Sequence, residues 1–94
     1  MEIKHRGDKN NGIFYIEEEG KQIAKMVYVF AGDTKFIIDH SEVNPGHEGK
    51  GLGRKLVQAG VDFAREKGYK IIPLCPYAKK VFNQTPEYND VLFA

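Results

Sequence analysis

Hydrophobic periodicity changes once along this chain, across residues 44 to 51, and that change dictates a sheet followed by a helix. Before it, β-branched and aromatic residues run in short stretches separated by turn formers. Ile3 to Arg6 reads as a short strand, broken by the turn-rich Asp8-Lys9-Asn10-Asn11-Gly12. Ile13 to Glu18 and Ile23 to Phe30 read as a hairpin closed at Glu19-Gly20-Lys21-Gln22. After the turn Ala31-Gly32-Asp33-Thr34, Lys35 to Val43 forms a further long strand. Connections this short make antiparallel neighbours.

Asn44-Pro45-Gly46 stops that strand. Beyond the break, Leu52, Leu56, Ala59, Gly60, Phe63 and Ala64 recur at three- and four-residue spacings, which predicts a helix from about Leu52 to Lys67. Gly68 is a suitable C-terminal stop. Tyr69 to Cys75 reads as a buried strand. Pro76 suits the first turn of a short helix running through Phe82, and Thr85-Pro86-Glu87 suggests one last helical turn. Val91, Leu92 and Phe93 are expected to tuck the C-terminus down. The fold class is therefore α+β: an antiparallel meander, a parallel strand–helix–strand unit and a short C-terminal helix. The long helix covers one face of a mixed sheet.

Ninety-four residues suffice for one domain, residues 1–94, able to bury roughly 60–68% of its extended surface. Fourteen basic and 13 acidic side chains leave a net charge of +1, without the basic excess of a nucleic-acid binder. Neither a bilayer-spanning apolar run nor a signal-peptide core is present, so no membrane partner is expected. One cysteine can form no internal disulfide, which suits a reducing, cytoplasmic setting. A monomer is expected. No Cys/His cluster has metal spacing, and no serine has a triad partner in the sequence.

The chemistry-bearing stretch is Gly46-His47-Glu48-Gly49-Lys50-Gly51-Leu52-Gly53, between a strand and an amphipathic helix. Alternate glycines let backbone N–H groups approach a bulky anion. The helix start adds unpaired donors and the positive end of its dipole. Together these make a phosphate site. The spacing is not that of a Walker loop, and the preceding meander is not the first strand of a dinucleotide-binding fold. A tight strand-to-helix turn is the plainer alternative.

Val43-Asn44-Pro45 followed by Glu48-Gly49-Lys50-Gly51-Leu52-Gly53-Arg54-Lys55-Leu56 resembles motif A of the GCN5-related N-acetyltransferases, which reads Arg/Gln-x-x-Gly-x-Gly/Ala after a strand. The small size, with Asp39-His40-Ser41-Glu42-Val43 and Pro73-Leu74-Cys75-Pro76-Tyr77, is similar to the minimal YjdJ-type subgroup. The resemblance implies acetyl-coenzyme A as co-substrate, its pyrophosphate on the backbone of Glu48, Gly49, Lys50, Gly51, Leu52, Gly53 and Arg54. It implies two central parallel strands that splay apart, Phe36–Val43 and Tyr69–Cys75, with pantetheine bonded to backbone near Glu42 and Val43 like an added strand. Tyr77 is a candidate to line the coenzyme site.

Two departures stand out. Glu48 replaces the usual Arg or Gln; a carboxylate beside a diphosphate is unfavourable, so Glu48 is expected to contribute backbone alone while Lys50 and Arg54 supply charge. The family's Asn-x-x-Ala-x-x-x-Tyr appears here as Cys75-Pro76-Tyr77-Ala78-Lys79-Lys80-Val81-Phe82, so its usual acid is replaced by phenylalanine.

Cys75, His40 and Glu42 are the catalytic candidates. A cysteine before a helix N-terminus sits where a thiol is activated. If the strands pair as expected, His40 and Cys75 face one gap. Either Cys75 accepts the acetyl group with His40 as its base, or His40 or Glu42 deprotonates the amine while Cys75 or Tyr77 protonates the departing sulfur. Each has a plainer role: Cys75 as a small buried hydrophobe, His40 and Glu42 as solvated strand residues. His47 is expected to be exposed, and His5 carries no functional signal. The function that follows is acetyl-CoA-dependent N-acetyl transfer to a small amine, a lysine or an N-terminus. The alternative is a coenzyme A-binding module without catalysis.

Overall fold

The computed structural model describes residues 2–93. Four antiparallel strands, β1 (Ile3–Gly7), β2 (Asn11–Glu18), β3 (Lys21–Phe30) and β4 (Lys35–Val43), are followed by helix α1 (Leu52–Lys67). Strand β5 (Lys70–Pro73) returns parallel to β4, and helix α2 (Pro76–Gln84) leads into a 3₁₀ segment, Pro86–Val91. Strand order equals chain order, β1 to β5. The expected α+β architecture is the one observed.

The β2–β3 turn is tighter than the four residues expected. Glu19 and Gly20 both take positive φ, 53° and 79°. That is the two-residue I′ geometry whose twist matches the flanking strands. At the break after β4, His47 N–H bonds to the Asn44 carbonyl at 3.1 Å across Pro45 and Gly46. Gly46 has φ 90°, so this is a type II turn with its proline and glycine in the favoured positions.

Helix α1 buries Leu52, Leu56, Val57, Gly60, Val61 and Ala64. The buried stripe includes Val57 and Val61, whereas the expected Ala59 and Phe63 are only partly buried. It packs on the sheet face formed by Phe14, Ile16, Ala24, Met26, Tyr28, Phe36 and Ile38. Fully burying side chains of this size contributes roughly 1.5–3 kcal/mol each, which fixes the helix on that face. Gly68 closes the helix in a left-handed conformation, as its position predicts. Phe93 is half-exposed, although its N–H bonds to the Ile71 carbonyl at 2.9 Å. The C-terminus is thus held by backbone and by buried Val91, not by the Phe93 ring.

Strand β5 is shorter than the sequence suggests, and the shortening matters. It pairs with β4 only from Lys35↔Lys70 to Ile38↔Pro73. The N–H groups of Leu74 and Cys75 then both converge on the Ile38 carbonyl, at 3.1 and 3.0 Å. The chain turns into α2, and Asp39–Val43 are left without a β5 partner. The two parallel strands splay at this point.

Strand β4 also carries a bulge. Its register with β3 runs Phe30↔Phe36, Val29↔Ile37, Tyr28↔Ile38, then skips to Val27↔His40, Met26↔Ser41 and Ala24↔Val43. Asp39 is the extra residue. Because side chains alternate, one inserted residue exchanges the faces of everything beyond it.

Candidate functional site

The splay of β4 from β5 and the start of α1 enclose an open cleft of about 450 Å³. Ser41, Glu42 and Val43 of β4 form one wall. The loop residues His47, Glu48, Gly49 and Gly51, with Leu52, Gly53 and Leu56 of α1, form another, and Tyr77 of α2 closes the side. Seven of the nine expected coenzyme-binding residues line it: Val43, Glu48, Gly49, Gly51, Leu52, Gly53 and Tyr77.

At the helix start, Gly51 is the N-cap with φ 74°, a conformation that suits glycine, and it offers no side chain to cap the helix. The first intrahelical bond runs from Lys55 N–H to the Gly51 carbonyl at 3.1 Å. The N–H groups of Leu52, Gly53 and Arg54 therefore precede any intrahelical acceptor. No acidic residue lies in the first turn, and Arg54 and Lys55 do. Basic residues at a helix N-terminus oppose the dipole unless an anion is bound there. This geometry fits a diphosphate.

Gly53 has a packing reason to be glycine as well. A Cβ there would lie 2.8–2.9 Å from the Tyr77 ring. It makes room for an aromatic wall beside the helix start. Arg54 is directed away from the cleft. Its guanidinium bonds to Gln84 Oε1 at 3.0 Å and Thr85 Oγ1 at 3.2 Å, fastening the end of α2. Lys50 is exposed in the loop.

The expected meeting of His40 and Cys75 does not occur. The bulge at Asp39 sends His40 and Glu42 to the outer face of the sheet, where His40 Nε2 lies 3.4 Å from Glu42 Oε2 and Lys25 Nζ 3.5 Å from Glu42 Oε1. The His40 hydrogen bond, and then the Lys25 charge, hold the Glu42 carboxyl below its ordinary range. Ser41 takes the inward position instead, its Oγ 3.2 Å from Cys75 Sγ. Cys75 is the N-cap of α2, in extended conformation after the end of β5, and is 6% exposed. Phe82, in the place of the family's tyrosine, is buried against Tyr88.

Ser41 and His47 carry no signal in the sequence pattern. A bulge is not visible in strand alternation, and His47 looks like an ordinary loop residue. Yet His47 is partly buried in the cleft wall. Its Nδ1 is enclosed without a hydrogen-bond partner, 4.0 Å from Glu18 Oε1. His5 likewise does more than expected: its Nε2 lies 2.6 Å from the Tyr28 hydroxyl and its ring stacks on Phe14 at 4.1 Å.

Among the described residues, no group of three or more His, Cys, Asp or Glu is placed to hold a metal ion. Among the described residues, no helix is long and apolar enough to cross a membrane.

Known proteins share this fold. The chain superposes on a GCN5-like protein of Staphylococcus aureus, solved by NMR, with a TM-score of 0.77 and 36% identity, covering 99% of this chain and 88% of that one. It is 50% identical over 38 residues to streptothricin acetyltransferase of Streptomyces lavendulae, over 40% of this chain and 20% of that protein. It is 29% identical over 63 residues to protein NATD1 of Homo sapiens, over 67% of this chain and 56% of that protein. The chain thus spans a fifth and a little over half of these two relatives. The sequence profile of the family described as GCN5-related N-acetyl-transferase matches residues 13–91, and the chain belongs to that family.

Proposed function

We propose that this chain is an acetyl-CoA-dependent N-acetyltransferase acting on the amine of a small molecule, a lysine or a protein N-terminus. The observation that carries the reading is the cleft itself. It runs from an uncapped helix N-terminus, suited to a diphosphate, to the unpaired edge of β4, suited to the amide-bearing pantetheine arm. The amides of Leu52, Gly53 and Arg54 hold the pyrophosphate. Lys50 supplies charge, and Tyr77 walls the arm against Leu52 and Val43. The acetyl group then lies toward Ser41 and Cys75.

The splay gives the reacting centre two chemically distinct sides. The Ser41 hydroxyl lies on the cleft side with the Cys75 thiol behind it; the His40–Glu42 pair lies on the outer face, with Glu42 at the rim where the two sides meet. On this reading the amine approaches from the outer face, where His40 or Glu42 takes its proton. Nitrogen attacks the thioester carbon, the carbon–sulfur bond breaks, and the departing thiolate takes a proton from the cleft side. Transfer through an acetylated Cys75 is the other route open to these residues. The chain acts as a monomer in the reducing cytoplasm, with no nucleic-acid or membrane partner.

A coenzyme A-binding module without catalysis is the second reading, and buried Phe82 favours it, because a phenyl ring supplies no proton. Incubation with labelled acetyl-CoA and an amine panel separates the two. Acetylated amine with release of coenzyme thiol is the expected result. Coenzyme binding with no turnover against any amine establishes the module. A hydroxylamine-labile acetyl adduct that Cys75→Ala abolishes identifies the covalent route.

A further inference from the structure

The bulge in β4 has a chemical consequence. Had β4 alternated without interruption beyond Ile38, Ser41 would face outward with the solvated side chains. The extra residue turns it inward, onto the cleft wall. Cys75 lies behind it: the thiol is almost fully buried, is not part of the cleft lining, and is 3.2 Å from the Ser41 oxygen. The group nearest an incoming thioester is therefore the hydroxyl, and the thiol is reached through it.

We propose that Ser41 is a catalytic residue of the acetyl transfer, its hydroxyl protonating the departing coenzyme thiolate, with Cys75 as the positioning residue that resupplies the proton. This rests on the acetyltransferase reading above. As the carbon–sulfur bond breaks, the coenzyme sulfur takes the Ser41 hydroxyl proton. The Ser41 oxygen takes the Cys75 thiol proton in the same motion. Serine ends neutral, and the charge resides on the Cys75 sulfur at the N-terminus of α2. The dipole of that helix, which has no side-chain cap and no acidic residue in its first turn, favours a negative charge there. The amine nitrogen meanwhile loses one proton to water or to the outer-face base, and Cys75 regains one from water, so protons balance over the cycle. A serine hydroxyl alone is a weak acid. Coupling it to a thiol makes it a competent donor and replaces the proton source that Phe82 lacks.

Acetyl-CoA with hydroxylamine as acceptor tests this, followed by release of coenzyme thiol. Hydroxylamine is largely neutral at pH 7 and needs no base, so the rate reports leaving-group protonation. The Ser41→Ala change is expected to lower kcat on the order of 10²-fold while coenzyme affinity changes less than about twofold. Ser41→Thr, which keeps the hydroxyl, restores most of the rate; a packing role would not be rescued by the bulkier residue. The Cys75→Ala change lowers kcat by about tenfold, and the double variant is no slower than Ser41→Ala, because the two groups act in series. A Ser41→Ala protein with the wild-type kcat overturns the proposal and leaves acetyl transfer intact. A Cys75→Ala protein slower than Ser41→Ala also overturns it, in favour of a nucleophilic thiol. A wild-type chain that neither binds coenzyme A nor turns over overturns the acetyltransferase reading and this inference with it.

Discussion

The Tyr77 ring occupies the space that a side chain at Gly53 would fill: a Cβ at residue 53 would lie 2.8 Å from the ring. The first turn of α1 and the first turn of α2 are thereby locked together beside the cleft. The Gly53→Ala change gains helix propensity, about 1 kcal/mol, but overpacks the contact by roughly 1–3 kcal/mol, so it is expected to destabilise. In a Tyr77→Ala background the same change is expected to stabilise. Urea denaturation of the four proteins in this double-mutant cycle checks the reversal of sign.

Charge at the cleft should be divided unequally between its two basic residues. The Arg54 fork is engaged by Gln84 and Thr85, whereas Lys50 is exposed on the loop beside the anion site. Removing Lys50 is expected to weaken coenzyme A binding about fivefold at low salt, with a smaller effect at high salt. The Arg54→Ala change is expected to alter affinity less and instead to loosen the end of α2. Calorimetric titrations at two ionic strengths, with hydrogen exchange on α2, check both halves.

Glu42 should titrate below its ordinary value of 4.5, because His40 bonds to it and Lys25 lies close. His40→Ala removes the larger cause and is expected to raise the Glu42 value toward normal. Carboxyl carbon shifts followed against pH in both proteins check this. An unperturbed Glu42 in the wild type would contradict the outer-face placement of His40.

His5 is expected to make stability depend on pH. Burial lowers its pKa from the ordinary 6.5, since the charged ring is poorly solvated against Phe14 and Phe63. Between the lowered folded value and 6.5 the unfolded chain binds more protons, so stability rises with pH. The full contribution is present above pH 6.5 and is lost as the pH falls through that window. Melting temperatures of the wild type and His5→Gln from pH 5 to 7.5 check the sign: the wild type should lose more on acidification. The Tyr28→Phe change, which deletes the partner of His5 Nε2, is expected to cost about 1 kcal/mol at neutral pH.

Much of this architecture is legible in the sequence. Period-2 and period-3.6 patterns, with Gly20, Pro45, Gly68 and Pro76 as punctuation, place the strands and helices to within a few residues. The glycine-rich turn is legible as a candidate anion site because its residues are consecutive and local backbone geometry alone forms it. The inner end of the site is not legible in the same way. Which of His40, Ser41 and Glu42 faces the cleft depends on one bulged residue, Asp39, and nothing in nine residues of strand announces the skip. The place of Cys75 depends on where β5 stops. That is set by both Leu74 and Cys75 bonding to Ile38, contacts between residues far apart in sequence. The Arg54 side chain looks like a ligand-binding charge in the motif, and its bonds to Gln84 and Thr85 are not legible there, because those residues reach it only through the packing of α2.

The phosphate-holding role of the α1 N-terminus is tested most directly by amide resonance mapping during titration with coenzyme A. The largest shifts are predicted at Gly49 to Arg54, with a second set along Ser41 to Val43 as the pantetheine arm adds to the strand edge. Shifts that are absent at millimolar coenzyme, or that fall elsewhere on the sheet, would contradict it.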